Sequence, residues 1–324
     1  MLSQRHLWLR SAKQWAILRV RNALILAINE FLQKGGYLRF DSPILTPSSC
    51  EGTTTLFPVP YLPAWSETDK PQAYLSQSGQ LYLEEAIYSF GKVYDFGPTF
   101  RAEKSKTKRH LTEFWMIDAE AAFMKYDELL EFEEKMIYFL IQKILVDCQK
   151  ELKILDRDLR PLEQIKPPFE RLTYGEVVKK LQELGSDIKY GQDLGNDDET
   201  LLMTHFPQPL FIMKFPHDFK AFYFKRDGQN TELTLSNDLL APEGFGEIIG
   251  GGQREDDHDL LLARMKEAGL NVEDYQWYLD LRKYGSVPHS GFGLGLERLV
   301  AWICKLEHIR EAIPFPRTIY RFSP

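Results

Sequence analysis

Short segments with alternating apolar and polar side chains fill the second half of the chain, and this pattern limits the fold more than any other feature. From Leu210 onward the segments LFIMKF, AFYFK, ELTLS and GEIIGGG follow one another, and the pattern ends in a helix over residues 294–304. Alternation with a period of two is typical of β-strands. Strands and helices intermixed in this way predict an α+β fold with one extended, mostly antiparallel sheet.

The first half of the chain alternates between helical and strand periodicity. Helices are indicated by apolar residues that recur every three to four positions, and strands by alternation. The predicted elements are a helix over 13–33 that ends at Gly35 and Gly36, a strand over 37–44, a hairpin of 92–96 with 114–118, and a helix over 126–152.

No shift in composition divides the chain, so residues 1–324 are expected to form a single domain. Residues 153–198 are charged and rich in Pro and Gly, which predicts a connecting excursion with one short helix over 174–184. The N-terminus carries charges where a signal peptide would be apolar, and no run of 18 uncharged apolar residues occurs. We therefore expect a cytoplasmic protein without a membrane span.

Charge and cysteine content argue against a broad nucleic-acid-binding surface, a disulfide framework and a zinc site. The formal net charge of -7 argues against a broad nucleic-acid-binding surface, although a local basic patch lies in residues 101–110. Cys50, Cys148 and Cys304 lie far apart, unlike a disulfide framework or a zinc site. We expect them to be ordinary buried thiols.

The basic patch sits in the segment FRAEKSKTKRHLTEF, which places Arg101, Lys104, Lys106, Lys108 and Arg109 within a predicted hairpin loop. Arginine can make paired hydrogen bonds to carboxylate or phosphate, and the loop cations can neutralise outer phosphates. The segment therefore suits a triphosphate, while a solvated charged hairpin is the simpler alternative.

Two other segments could complete such a site. In GFGLGLERLVAWI, alternating glycines allow a flat ligand to approach the backbone, and Arg298 could stack on a purine or hold a phosphate; close packing is the alternative. Asp238 and Glu247, nine residues apart, could hold Mg²⁺ against phosphate groups, or could simply be surface carboxylates. The sequence contains no Walker-type loop, Ser-His-Asp arrangement or HExxH pair.

Taken in order, these segments resemble the three signature motifs of class II aminoacyl-tRNA synthetases. GGYLRFDSPILTP is similar to motif 1, FRAEKSKTKRHLTEFWMIDAE to motif 2 and GFGLGLERLVAWI to motif 3. The segments YLSQSGQLYLE, GEIIGGGQRE, WYLDLRKYGSVPHSGFG and HIREAIPFPR resemble the asparaginyl branch. The resemblance covers nearly the whole chain and implies an antiparallel sheet flanked by helices, in a homodimer formed through residues 36–47.

The resemblance also implies roles for individual residues. Arg101 and Arg298 would be catalytic, holding the α-phosphate and the reacting carboxylate. The implied ATP-binding residues are Arg101, Glu103, Arg109, His110, Glu247 and Arg298, and Asp238 and Glu247 would hold Mg²⁺. The implied amino-acid-binding residues are Ser76, Gln77, Gln80, Asp118 and Arg254, with Arg254 on the side-chain oxygen. In-line attack by an ionised carboxylate requires positioning and electrostatics but no protein nucleophile.

Three features depart from the family pattern. The N-terminal OB-fold that reads the anticodon in this family is absent from the sequence, so we expect no anticodon-binding domain. Leu83 stands where the aspartyl branch has a lysine for the substrate carboxylate, which favours asparagine. Asp118 stands where the asparaginyl branch has Glu, which resembles the aspartyl branch.

These features leave three hypotheses, of which asparaginyl-AMP formation is preferred. In the first, the acyl group passes to tRNA or to an amine of a small molecule or peptide. In the second, an asparagine synthetase-like enzyme makes aspartyl-AMP and amidates it with ammonia. In the third, a regulatory paralogue only binds amino acid or adenylate, but the retained Arg101, Asp238 and Arg298 argue against it.

Overall fold

The computed structural model describes residues 4–51, 55–60, 72–103 and 107–323. Its α-helices are α1 (Arg5–Trp8), α2 (Ala12–Lys34), α3 (Gln80–Phe90), α4 (Tyr126–Asp147), α5 (Gln149–Ile154), α6 (Arg160–Glu163), α7 (Tyr174–Glu183), α8 (Asn196–Met203), α9 (His258–Glu267), α10 (Gln276–Tyr284) and α11 (Leu296–Ile303). The strands are β1 (Leu38–Arg39), β2 (Leu45–Thr46), β3 (Phe57–Pro60), β4 (Gln72–Leu75), β5 (Lys92–Phe100), β6 (Glu113–Ala122), β7 (Glu170–Thr173), β8 (Leu210–Met213), β9 (Arg226–Asp227), β10 (Asn230–Thr234), β11 (Ser236–Ala241), β12 (Gly246–Gln253) and β13 (His289–Gly295).

One large sheet organises the protein, with strand order β1-β5-β6-β13-β12-β11-β8-β7. Its central strands, from β5 to β8, pair antiparallel, whereas the two edge strands β1 and β7 pair parallel with their neighbours. The predicted α+β fold with an extended, mostly antiparallel sheet is therefore confirmed.

Helices α2, α4 and α11 cover one face of this sheet, and a cavity lies over the middle of the other face, between α3 at one end and α7 and α8 at the other. Side chains of α2, α4 and α11 pack in the main core against residues of β6, β12 and β13. On β6, Ile117, Ala119 and Ala121 belong to this core. Because side chains alternate along a strand, Asp118 and Glu120 face the opposite side of the sheet. None of the described helices combines the length and apolarity that a membrane span requires.

Most predicted elements are present, with local reasons for their limits. Helix α2 begins after Ser11, whose Oγ accepts from the N–H of Gln14, and ends before Gly36, which has a φ of +81°. The hairpin is present as β5 and β6, although residues 104–106 of its loop lie outside the described residues. The three cysteines are free and buried, as predicted.

Four predictions need correction. The strand over 37–44 is only the two-residue β1, because the N–H of Ser42 donates to the side chain of Asp95 rather than to a sheet partner. The helix over 126–152 breaks at Cys148, which separates α4 from α5.

The segment AFYFK is not a strand, because three consecutive aromatic side chains, Phe222, Tyr223 and Phe224, are all buried in a local cluster. The helix predicted to start at residue 294 begins two residues later, where β13 ends.

The connecting excursion, residues 153–198, contains regular secondary structure that joins the main fold. It contributes β7 to the edge of the main sheet and leads into α8. Its predicted short helix is confirmed as α7, which begins at a capping box between Thr173 and Glu176. Short polar elements of this kind carry little periodicity, so the sequence indicated only the helix.

Candidate active site

A row of four directly paired residues crosses the middle of the sheet face opposite the main core. Asp118 on β6 pairs with Gly293 on β13, which pairs with Gly250 on β12, which pairs with Asp238 on β11. Directly paired residues present their side chains to the same face. Two glycines flanked by two carboxylates therefore form a flat floor, and a Cβ on Gly293 would lie 2.9 Å from Oδ1 of Asp118. This floor belongs to a cavity of about 970 Å³.

Asp118 is held at one end of the floor by the turn before α3. Its Oδ2 accepts hydrogen bonds from Oγ of Ser78 at 3.0 Å and from the N–H of Gly79 at 2.9 Å. Burial and, next, the nearby Asp95 carboxylate raise the pKa of Asp118 to about 7, against these hydrogen bonds. The other oxygen, Oδ1, lies beside Gly293 and can meet a ligand on the floor. Ser78 was not among the residues predicted from the sequence.

This raised pKa predicts a pH-dependent stability effect. Because the folded pKa lies above the ordinary 3.8, the favourable contribution of the neutral acid is complete below about pH 4 and is lost as the pH rises through 7. Asp118→Asn, which resembles the neutral acid, should therefore increase the free energy of unfolding at pH 8 by up to about 4 kcal/mol and change it little at pH 4.

Urea unfolding of both proteins at the two pH values measures this difference. Asp41→Asn is the matched control, since that side chain is 79% exposed and should show no such pH dependence. An equal effect of Asp118→Asn at both pH values would show that ionisation of Asp118 does not lower the free energy of unfolding.

Arg254 lies on the same side of the cavity but is already paired. Its Nη2 and Nε atoms lie 2.5 and 3.1 Å from Oε1 of Glu120, and both side chains are almost fully buried. Burial alone would lower the pKa of Arg254, but the Glu120 carboxylate more than offsets burial and raises it. The guanidinium can still contact a ligand oxygen, but its charge is balanced. Glu120 was not identified from the sequence.

Gln80 is the only amide among the predicted amino-acid-binding residues whose side chain lines the described cavity. Its Nε2 donates to Oε1 of Glu84 at 3.0 Å. Glu84 is fully buried and also accepts from Tyr278 and Arg282, so it remains an acceptor. Because Nε2 is turned toward Glu84, the Gln80 oxygen is left for the cavity side.

Three other residues named from the sequence face elsewhere. The Ser76 hydroxyl donates to the backbone oxygen of Ser78. The Gln77 Oε1 accepts from the N–H groups of Cys50 and Glu51 and so holds that loop. Leu83 packs in a small apolar cluster with Ala86 and Ile87. The roles of Ser76 and Gln77 as direct ligands stay predictions.

Arg101 follows β5 and enters the cavity from the rim. Its guanidinium lies 3.6 Å from Oε1 of Glu51 and 5.5 Å from the centre of the Phe114 ring. Its buried Nε has no hydrogen-bond partner within the described residues. Burial alone would lower the pKa of Arg101, but Glu51 and Glu103 outweigh burial and raise it. A permanently charged group with an unused donor is suited to an anionic ligand.

The two predicted metal ligands are near each other but are paired with cations. Oε1 of Glu247 and Oδ1 of Asp238 lie 3.2 and 3.7 Å from the position of a Cβ on Gly250. Lys220 donates to both oxygens of Asp238 at 2.9 Å, and Arg298 donates to Glu247 at 2.6 Å. Burial and Glu247 raise the pKa of Asp238 to about 6, although Lys220 lowers it.

These carboxylates fit a Mg²⁺ ion that is shared with a ligand. Across the described ranges, no three His, Cys, Asp or Glu side chains form a ready metal cluster. Mg²⁺ commonly takes only one or two protein carboxylates and completes its shell with water and substrate phosphates. The pair of oxygens beside Gly250 is consistent with that chemistry. Lys220 was not identified from the sequence.

The remaining predicted ATP residues border the far end of the cavity. A smaller cavity of about 70 Å³ is lined by Glu103, His110, Phe114 and Arg298. Nε2 of His110 lies 3.5 Å from Glu103, and burial and Arg298 lower the pKa of this histidine. Arg109 pairs with Glu199 at 2.8 Å, a partner that the sequence did not indicate.

The chain is similar to known proteins along nearly all of its length. Residues 1–319 match the family model described as tRNA synthetases class II (D, K and N). The chain is 53% identical to the asparagine–tRNA ligase of Roseiflexus sp. (strain RS-1) and 51% identical to that of Desulforamulus reducens, in each case over 100% of this chain and 74% of the relative. The structure of asparaginyl-tRNA synthetase from Pyrococcus horikoshii, complexed with asparaginyl-adenylate, matches with a TM-score of 0.96 and 48% identity, over 100% of this chain and 73% of that one.

Proposed function

We propose that this chain, which belongs to the class II tRNA synthetases of the D, K and N group, joins asparagine to AMP from ATP and transfers the asparaginyl group to tRNA. The row of Asp118, Gly293, Gly250 and Asp238 carries the proposal, because one flat floor with a carboxylate at each end supports binding of an amino acid at one end and of metal-bound phosphates at the other. The relatives are asparagine–tRNA ligases, and they do not favour the ammonia-dependent alternative.

In this proposal the amino acid lies at the Asp118 end of the floor. The ammonium and amide N–H groups of asparagine need acceptors, which Asp118 and the Gln80 oxygen supply. The side-chain oxygen needs a donor, which Arg254 supplies. Because Glu120 already balances the charge of Arg254, a neutral amide suits this pocket better than a second carboxylate.

ATP would lie across the glycines toward the opposite end. The purine would lie between Phe114 and Arg298, which line the smaller cavity, with Glu103 at its edge. Arg101 stands between the two ends, where it can hold both the asparagine carboxylate and the α-phosphate. The attacking oxygen is already ionised, so Arg101 contributes by orientation and by stabilising charge on the phosphoryl group. Bound Mg²⁺ would neutralise phosphate charge beside Asp238 and Glu247.

ATP–pyrophosphate exchange, measured separately with asparagine and with aspartate, tests the first step. Acylation of tRNA in the presence of each amino acid tests the second step. Exchange that depends on aspartate alone, followed by release of free asparagine when ammonia is added, would replace the ligase by the synthetase-like alternative.

The metal assignment makes its own prediction. Glu247→Gln should raise the magnesium concentration for half-maximal exchange by at least about tenfold, because one oxygen ligand loses its charge. Magnesium titrations of the exchange reaction measure this shift. Glu232→Gln is the control, since that carboxylate is 79% exposed and is not one of the predicted metal ligands. An unchanged magnesium requirement in Glu247→Gln would remove Glu247 from the metal site.

Three further expectations complete the proposal. Residues 1–324 act as one catalytic domain, and the chain spans about three quarters of the length of its relatives. A homodimer through residues 36–47 is supported by exposed apolar side chains at Leu38, Ile44, Leu45 and Phe90. The cytoplasmic location stays a prediction.

A further inference from the structure

Glu199 connects two parts of the phosphate pocket that are distant in the sequence. It lies on α8, which follows the connecting excursion. Its Oε2 accepts from Nη1 of Arg109 at 2.8 Å, across 90 residues, and from the N–H of Glu247 at 3.1 Å. One carboxylate oxygen therefore joins the loop of the β5–β6 hairpin to the strand that carries a predicted metal ligand.

The guanidinium of Arg109 is held on two sides. Besides the ion pair with Glu199, its Nη2 donates to Oγ1 of Thr200 and to the backbone oxygen of Gly244. The side chains of Arg109 and Glu199 are only 18% and 15% exposed. These contacts use three of the five N–H donors of an arginine and leave others for phosphate oxygens.

The backbone is shaped to accept this pair. Gly246 has a φ of +75°, and a Cβ at this position would clash with both Glu199 and Arg109. A side chain is thus excluded at the point where the ion pair rests on β12. Arg109 lines the same cavity as Arg298, on the side of the predicted phosphates.

We propose that Glu199 is a positioning residue for ATP, which acts through Arg109. The inference rests on the proposed function and deepens it, because it gives α8, the helix to which the connecting excursion leads, a part in nucleotide binding. Glu199 orients the guanidinium before ATP arrives, so that less conformational freedom is lost when the outer phosphates bind. Arg109 keeps its pair with Glu199 in the ATP complex.

The contacts of Glu199 indicate whether it strengthens or weakens ATP binding. A carboxylate near a triphosphate repels it, and Glu199 would oppose ATP binding if Arg109 had to leave the pair to reach ATP. However, Glu199 is also bound to the N–H of Glu247, and the donors of Arg109 exceed those that the pair uses. Orientation therefore outweighs repulsion, and loss of Glu199 should weaken ATP binding.

The test compares Glu199→Ala and Glu199→Gln with wild type in exchange kinetics. The alanine variant should raise KM for ATP about tenfold, and the glutamine variant, which keeps an acceptor without charge, about threefold. KM for asparagine should stay unchanged. The alanine variant should have a lower thermal midpoint, because it breaks a largely buried ion pair, so both kinetics and binding are measured well below that midpoint. Calorimetry with a non-hydrolysable ATP analogue should show the same loss of affinity without any turnover.

Asp197→Asn is the matched control, because it removes one negative charge from the exposed side of the same helix. It should leave KM for ATP within about twofold of wild type, since exposed charges are largely screened. A lower KM for ATP in Glu199→Ala would overturn the proposal in favour of competition with ATP. A changed magnesium requirement would overturn it in favour of a direct metal contact.

Failure of this inference can be distinguished from failure of the proposed function. If the wild-type protein exchanges pyrophosphate with asparagine while Glu199→Ala behaves as wild type, only the positioning role is wrong. If the wild-type protein shows no exchange with asparagine, the proposed function fails, and analogue binding still measures whether Glu199 acts on ATP.

Discussion

Replacement of Arg101 by alanine should reduce asparagine-dependent pyrophosphate exchange by at least about 10²-fold, since one preorganised charged donor at the reacting phosphoryl group contributes that much. Arg101 lines both the larger and the smaller cavity, and its buried Nε lacks a partner among the described residues. The loss should appear in kcat as well as in KM, because the contact strengthens as charge develops.

Arg101→Lys is the informative companion variant. Lysine keeps the charge but cannot make two parallel hydrogen bonds, so activity should lie between those of wild type and alanine. Thermal unfolding of the three proteins controls for damage to the fold. If Arg101→Ala keeps more than about a tenth of wild-type exchange, the residue does not stabilise the transition state.

Discrimination between asparagine and aspartate should be the second large effect. The wild-type protein should prefer asparagine by about 10⁴-fold in kcat/KM, because a site that pairs a polar group rejects analogues that leave its partners unpaired. In the proposed complex, Arg254 is the cation that contacts the substrate side chain. Glu120, at 2.5 Å, balances its charge. Aspartate would bring a carboxylate into a pocket that is lined by Asp118 and by an Arg254 whose charge Glu120 already balances.

Glu120→Gln tests this explanation directly. It leaves the charge of Arg254 unbalanced, so the preference for asparagine should fall by at least about tenfold as aspartate becomes a better substrate. Exchange kinetics with each amino acid measure the ratio. Glu243→Gln removes a carboxylate from another largely buried arginine pair, with Arg157, and should lower stability without changing the ratio. An unchanged ratio in Glu120→Gln would mean that Arg254 does not sense the substrate side chain.

Local patterns in the sequence were sufficient for much of the fold. Apolar spacing predicted α2 closely, and alternation predicted β5, β6 and β12, because periodicity reflects which face of an element is buried. It misled at Cys148, where one apolar face continues across a break between two helices. It also misled at AFYFK, where irregular backbone buries aromatic side chains as well as a strand would.

The candidate site divides in the same way. Residues that lie within recognisable segments, such as Arg101, Asp118 and Arg298, could be named from the sequence, and the structure brings all three to one cavity. Their partners Ser78 and Glu120 lie close to named residues, but nothing in their spacing distinguishes them from ordinary polar positions. Lys220 and Glu199 lie in segments without clear periodicity.

The sequence by itself determined most of the element types, the α+β class and the order of the chemically important segments, since these depend on neighbours within a few residues. Only the tertiary structure decided which charges meet. Glu199 reaches Arg109 across 90 residues, and Glu120 balances Arg254 across 134. Such pairs are set by strand order and register, in which a shift of one residue would turn each side chain to the opposite face. On the proposed function, the affinity for ATP and the choice of amino acid would therefore depend on contacts that no local pattern encodes.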